Sequence, residues 1–188
     1  MAGLVLVGIV VVLALWVIAS YNRLVGLRNQ VANGWRQIDV QLKRRHDLIP
    51  QVVAVVKGHA GYERQTLEAV VAARGRAVQA AAGSPATRFK EETPVEASLS
   101  RIFAIAEAYP DLKAVASFVA LQQTLTEVED TLQNARRYYN AVVRDWNTGV
   151  AQFPANLLTN VFRFQPREFF GIDDADRAVP TVDTGARA

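Results

Sequence analysis

A chain of 188 residues has room for one modest domain, and its net charge of +3 is too mild to argue for a nucleic-acid partner. It contains no cysteine, which excludes disulfide frameworks, thiol catalysis, thiolate zinc sites and iron–sulfur clusters. Hydrophobic residues make up 51% of the chain, a figure inflated by the first stretch.

Residues 1–22 carry no charged side chain, and Gly3 to Ser20 reads GLVLVGIVVVLALWVIAS. About 20 helical residues rising about 1.5 Å each span the roughly 30 Å hydrocarbon core of a bilayer, so residues 1–22 are read as a transmembrane anchor. Trp16 and Tyr21 stand where an interfacial aromatic belt is expected. A cleaved signal peptide is the rival reading, but the segment lacks a basic leader and its apolar run is long for one. Arg23, Arg28, Arg36 and then Lys43, Arg44 and Arg45 follow the segment, which by the positive-inside rule places the N-terminus outside and the rest in the cytoplasm.

Leu24, Leu27, Val31, Trp35, Ile38 and Leu42 step by three and four, the pattern of one helix face. No proline or Gly-Ser run separates Ser20 from Leu24, so anchor and helix are expected to form one rod. Pro50 predicts a kink or a restart, with Asp47 as a candidate N-cap. The pattern resumes through Val52, Val53, Val56, Ala60, Leu67, Val70 and Val71, weakened by Gly58 and Gly61. It should run to about Ala82, where Gly83-Ser84-Pro85 stops it.

Residues 83–94 read as a loop, with Thr93 capping a helix whose first turn takes Pro94. That helix, from Val95 to Tyr109, should bury Leu99, Ile102, Phe103 and either Ile105 or Ala106, and Pro110-Asp111 should end it. The longest pattern follows. Phe118, Leu121, Leu125, Val128, Leu132, Ala135, Tyr139, Val142, Trp146, Val150 and Phe153 keep a three-four alternation, a coiled-coil-like seam capped by Ser117 and ended by Pro154. At about 1.5 Å per residue this helix is about 54 Å long. A short helix from Ala155 to Phe162 and a tail complete the chain, with residues 173–188 poorly packed. The expected architecture is all-α: an N-terminal transmembrane helix (1–22) continuous with an antiparallel bundle of long helices (23–165), and a partly flexible C-terminal tail (166–188).

The chain carries few catalytic or metal-binding signatures. His46 and His59 are thirteen residues apart with no metal-binding pattern around them. No serine stands in a nucleophile elbow, no phosphate-binding glycine pattern occurs, and Asp173-Asp174 lie in the tail. Glu127, Glu129 and Asp130 read as a charged outer face. The cluster Lys43-Arg44-Arg45-His46 would sit about 30 Å above the membrane on a straight rod, several times the Debye length of about 8 Å. It is therefore read as a solvated face or a helix–helix salt bridge, while Arg23 and Arg28 are close enough to contact lipid headgroups. Arg136, Asn140 and Arg144, spaced by four, form a polar strip. It would serve a partner or, in the favoured reading, tie this helix to Asp39, Gln41 or Asp47 on the first.

These segments resemble the LemA family of bacterial membrane-anchored helical proteins. The matching stretches are Tyr21-Asn22-Arg23-Leu24-Val25, the distinctive Gln37-Ile38-Asp39-Val40-Gln41-Leu42-Lys43-Arg44-Arg45 with Asp47-Leu48-Ile49-Pro50, and Ala106-Glu107-Ala108-Tyr109-Pro110-Asp111-Leu112-Lys113-Ala114. Ala135-Arg136-Arg137-Tyr138-Tyr139-Asn140, Val143-Arg144-Asp145 and Arg167-Glu168-Phe169-Phe170 continue the likeness, which covers residues 1 to 172. Val115-Ala116-Ser117 departs from it, replacing a more polar stretch. The resemblance implies a single membrane helix, a long-helix bundle, and no catalytic residues or cofactor. It places the chain in the bacterial inner membrane, and a relative is associated with magnetosome membrane formation. The expected function is a non-enzymatic scaffold that self-assembles and organises or shapes the membrane. Its partners would be membrane lipids, further copies of the chain and a membrane protein, with no nucleic acid. The alternative is an adaptor for a membrane-bound partner such as a quality-control protease.

Overall fold

The computed structural model describes residues 1–59 and 64–171, and every regular element among them is helical. They are α1 (Ala2–His59), α2 (Arg64–Gln79, extended by a 3₁₀ turn at Ala80–Ala82), α3 (Pro85–Ala108), α4 (Pro110–Lys113), α5 (Ala116–Ala151) and α6 (Asn156–Phe162). Ala60, Gly61 and the tail expected at 173–188 lie outside the described residues.

α1 has 58 residues, about 87 Å of continuous helix. Its first part contains an 18-residue stretch of mean hydropathy 3.0, none of it buried, which is long and apolar enough to cross a membrane. From Leu24 onward the same helix enters the bundle, so apolar segment and bundle helix form one rod, as the unbroken sequence implied.

α5 runs antiparallel along α1. Gly149 faces Leu24 and Leu27, Gly34 faces Tyr138 and Tyr139, and Arg45 reaches Glu129, so each step up α1 is matched by an equal step back along α5. A Cβ at Gly34 would stand 3.3 Å from the Tyr139 Cα, so glycine lets the two backbones approach closely there. The seam behaves as its periodicity demands: Phe118, Leu125, Val128, Leu132, Ala135, Tyr139, Val142, Trp146 and Val150 are buried. Phe153 departs from it at 75% exposed, because α5 ends at Ala151 and no longer holds that face.

Two apolar clusters result. The one nearer the apolar segment joins Leu24, Val31, Ile38 and Leu42 of α1 to the C-terminal half of α5, with Phe164 and Phe170. The distal one joins Ile49, Val52 and Val56 to Leu67, Val70 and Ala73 of α2, Val95, Leu99 and Ile102 of α3, and Phe118 and Leu125 of α5.

The helix boundaries correct the sequence reading at three places. α1 neither restarts at Pro50 nor takes Asp47 as a cap; it continues to His59, and the pattern expected to run on to about Ala82 belongs to a second helix, α2, that packs back against it. Pro50 has no N–H for the His46 carbonyl, and the Arg74 Nε of α2 donates to that carbonyl at 2.7 Å instead. Residues 85–94 are helix rather than loop: the Ser84 Oγ accepts from the Thr87 N–H at 3.3 Å, and Pro85 occupies the first turn. Thr93 caps nothing; its hydroxyl donates to the Phe89 carbonyl at 3.0 Å, and α3 carries Pro94 inside it. Ser117 lies within α5, whose N-cap, Val115, offers no side-chain hydrogen bond.

The role given to Arg74 is testable by a double-mutant cycle in the full chain. Arg74→Ala should cost about 1–3 kcal/mol by stranding the His46 carbonyl. In a Pro50→Ala background, where residue 50 regains its N–H, the same change should cost clearly less in thermal or urea unfolding; equal costs would contradict the assignment.

Candidate functional site

Three constructions on the α1–α5 frame hold the polar side chains. The first is a buried charge cluster. Arg45 is 2% exposed; its Nη1 donates to Glu129 of α5 at 3.0 Å and its Nη2 to Glu92 of α3. The His46 Nε2 lies 3.0 Å from the other Glu92 oxygen. Arg88, also of α3, donates to Asp39 at 2.8 Å and stacks over the Trp35 ring at 5.1 Å. Burial pushes the Glu92 carboxyl up, but the hydrogen bond from His46 and the charge of Arg45 outweigh it and hold it below the ordinary carboxylate range. The cluster therefore fastens α1, α3 and α5 together. Lys43 and Arg44, the other half of the basic run, are exposed.

The second construction holds the residues after α6. A left-handed Arg163 (φ 54°) turns the chain back, and residues 164–170 run along α5 in the opposite direction to it. Asn147 donates to the Arg167 carbonyl at 2.9 Å and accepts from the Arg167 N–H at 2.8 Å. Asn140 treats Phe170 in the same way at 3.0 and 2.9 Å. The Trp146 indole donates to the Gln165 carbonyl and the Tyr139 hydroxyl to the Glu168 carbonyl, each at 2.9 Å. The register is arithmetic: seven helical residues rise about 10.5 Å and three extended residues advance about 10 Å, so two pairs seven apart on α5 meet two sites three apart on the strand-like segment. Burial raises the Tyr139 hydroxyl to about 12, with Glu168 adding and Arg167 opposing, so it remains a donor. Gly171 follows the run, and its φ of 74° and approach to Arg136 and Phe89, 2.6 and 2.7 Å from a would-be Cβ, admit no side chain.

The expected strip of Arg136, Asn140 and Arg144 is divided by this geometry. Arg136 lies over the Phe89 and Phe170 rings at 4.9 and 5.6 Å, Asn140 grips Phe170, and Arg144 is exposed. Asp39, expected opposite the strip, pairs with Arg88 instead. The reason is angular: two four-residue steps rotate a helix face by about 80°, whereas a seven-residue step returns within about 20°. The sequence reading missed Asn147, Arg88, Glu92 and the role of Glu129. The repeat of an aromatic-Asn pair, Tyr139-Asn140 and Trp146-Asn147, was the signal for the first.

The third construction lies where the apolar segment meets the bundle. Arg23 and Arg28 are exposed on α1. Arg28 lines a groove of about 740 Å³ with Trp35, Tyr139, Arg167 and Glu168. Tyr21 packs against Phe162 and Phe164 at centroid distances of 4.8 and 6.0 Å. Among the described residues no group of three or more His, Asp or Glu is placed to hold a metal ion.

Together these features define an all-α bundle protein built on one long helix with an apolar, membrane-compatible N-terminal segment. The chain belongs to the LemA family, whose model matches residues 34–183. It is similar to magnetosome protein MamQ 2 of Paramagnetospirillum magneticum, 22% identical over 174 residues that cover 80% of this chain and 64% of the relative. Magnetosome protein MamQ of Magnetospirillum gryphiswaldense is 21% identical over the same shares, and protein LemA of Metamycoplasma hominis is 24% identical over 160 residues, 81% of this chain and 72% of that one. The chain thus spans 64% of the length of the magnetosome relatives it matches.

Glu92→Gln leaves a buried guanidinium with half its counter-charge and should lower stability by about 3–5 kcal/mol at neutral pH. Because the folded Glu92 binds its proton less readily than the unfolded one, its contribution is complete above the ordinary carboxylate value of about 4.3 and fades as pH falls through the folded value. The wild-type melting temperature should therefore drop more steeply below about pH 4.5 than that of Glu92→Gln, and parallel acid profiles would refute the linkage. Separately, Asn140→Ala with Asn147→Ala should release the segment from α5, so trypsin cuts after Arg163 and Arg167 faster than in the wild type; unchanged cleavage would show that the asparagines do not hold it.

Proposed function

We propose that the chain is a non-enzymatic, membrane-anchored helical scaffold that self-assembles and so organises or shapes the membrane. One observation carries the reading: the apolar segment and the central bundle helix are a single unbroken helix, Ala2–His59. The bundle is fastened to that helix by an apolar seam and by buried charge, so bundle and anchor tilt as one lever. Contacts between bundles would then impose an angle on the lipid around their anchors. Closed symmetric self-association is the common route by which such parts build a defined shape.

The reading places the protein in the bacterial inner membrane as a single-pass protein with its N-terminus outside and its bundle in the cytoplasm. The support is the charge asymmetry across the segment. Arg23 and Arg28, about 2 and 9 Å beyond residue 22 along the helix, are the residues assigned to lipid headgroups. The names of the magnetosome relatives are in keeping with membrane organisation.

A second reading, an adaptor for a membrane-bound partner such as a quality-control protease, rests on the exposed Arg144. Arg136 and Asn140 are engaged within the chain, which leaves that strip short. The two readings separate on assembly. The full chain extracted in mild detergent at micromolar concentration should size as a discrete oligomer. A clean monomer would remove the scaffold reading, and crosslinks from position 144 in native membranes that recover only self-contacts would remove the adaptor.

A further inference from the structure

The stretch 152–162, QFPANLLTNVF, holds no charged side chain, and it is followed at once by the exposed Arg163. Phe153, Leu157 and Val161, spaced by four, are 75%, 59% and 73% exposed, and Phe162 is 43% exposed. Four large apolar groups on a segment of eleven are a poor surface for water. Their place in the fold gives them another neighbour. α5 ends with Gly149 against Leu24 and Leu27, and α6 then packs Phe162 on Tyr21, the last turn of the uncharged segment. Along α1, residues 1–15 are exposed, while Trp16, Val17 and Ser20 are partly buried. From Tyr21 to Trp16 is about 7.5 Å along the helix, within the roughly 5–10 Å depth at which interfacial helices lie.

We propose that residues 153–162 are a second membrane contact, seated in the headgroup–acyl boundary of the leaflet nearest the bundle. Phe153, Leu157, Val161 and Phe162 enter the acyl region and Arg163 meets the phosphates. The occupant is lipid because this apolar surface is continuous with the exposed apolar surface of the anchor, at the same level along α1. A lone helix crossing a bilayer is free to rotate and tilt about its exit point. A second contact offset from it fixes both. The proposal rests on residues 1–22 being a membrane anchor.

The chain has no native cysteine, so single cysteines report cleanly. Val161→Cys, and Leu157→Cys as an independent second position, would carry a nitrobenzoxadiazole label on the full chain. The chain is reconstituted in phosphatidylcholine–phosphatidylglycerol vesicles with bromines on part of the acyl chains. Leu13→Cys marks the anchor and Thr131→Cys the exposed middle of α5. The labels at 157, 161 and 13 should be quenched several-fold more by bromolipid than the label at 131, and aqueous iodide should show the reverse order. If 13 is quenched while 157 and 161 respond like 131, the second contact is wrong and the anchor stands. If 13 is not quenched either, the anchor reading falls with it. Shielding of 157 and 161 from both quenchers, lost on dilution with empty lipid, would assign the surface to a second copy of the chain and overturn the proposal.

Discussion

Gly149 against Leu24, Gly34 against Tyr139 and Arg45 against Glu129 are three points on one antiparallel contact, that of α5 along α1. Each of the other constructions is referred to it. α3 finds its place because Glu92 and Arg88 reach charges displayed by α1, α2 because Arg74 reaches a carbonyl of α1, and the segment 164–170 because α5 offers donors at a spacing of seven. The contact also joins the apolar N-terminal segment to the bundle without a hinge, since the helix that leaves that segment is the helix on which α5 packs.

An apolar seam alone sets this contact only to within a turn. Leucines and valines that meet at one register meet nearly as well after a slip of about 5.4 Å. The same slip carries Glu129 out of reach of Arg45 and leaves a buried guanidinium short of a partner, at a cost of several kcal/mol. Arg45, Glu92 and Glu129 thus act as a register pin, with Arg88 and Asp39 as a second. The paired asparagines do the equivalent for the extended segment, which has no helix to satisfy its own backbone groups.

At the N-terminal end of the bundle, the apolar segment, the aromatic contact of Tyr21 with α6 and the basic Arg23 and Arg28 gather within a few turns of one helix. The ionic pins lie farther along α1, about 30 Å beyond residue 23. The buried ionic contacts and this apolar, aromatic end are thus separated along the rod.

The sequence by itself determined whatever repeats along a single element. The apolar segment is legible from its uncharged length, and the face of α1 from Leu24 to Leu42 and the seam from Phe118 to Val150 because helical burial recurs every three or four residues regardless of what packs against it. Only the tertiary structure decided the rest. Whether Pro50 breaks a helix depends on who takes the His46 carbonyl, and that donor comes from another helix. Residues 85–94 read as a loop because of their prolines and charges, yet Arg88 and Glu92 become core when partners 49 and 47 positions away meet them. A charge is read as surface until its counter-charge is placed, since burial of either one alone is prohibitive. The extended segment has no period at all; its order is written on α5, in asparagines whose purpose appears only once the chain has folded back onto them.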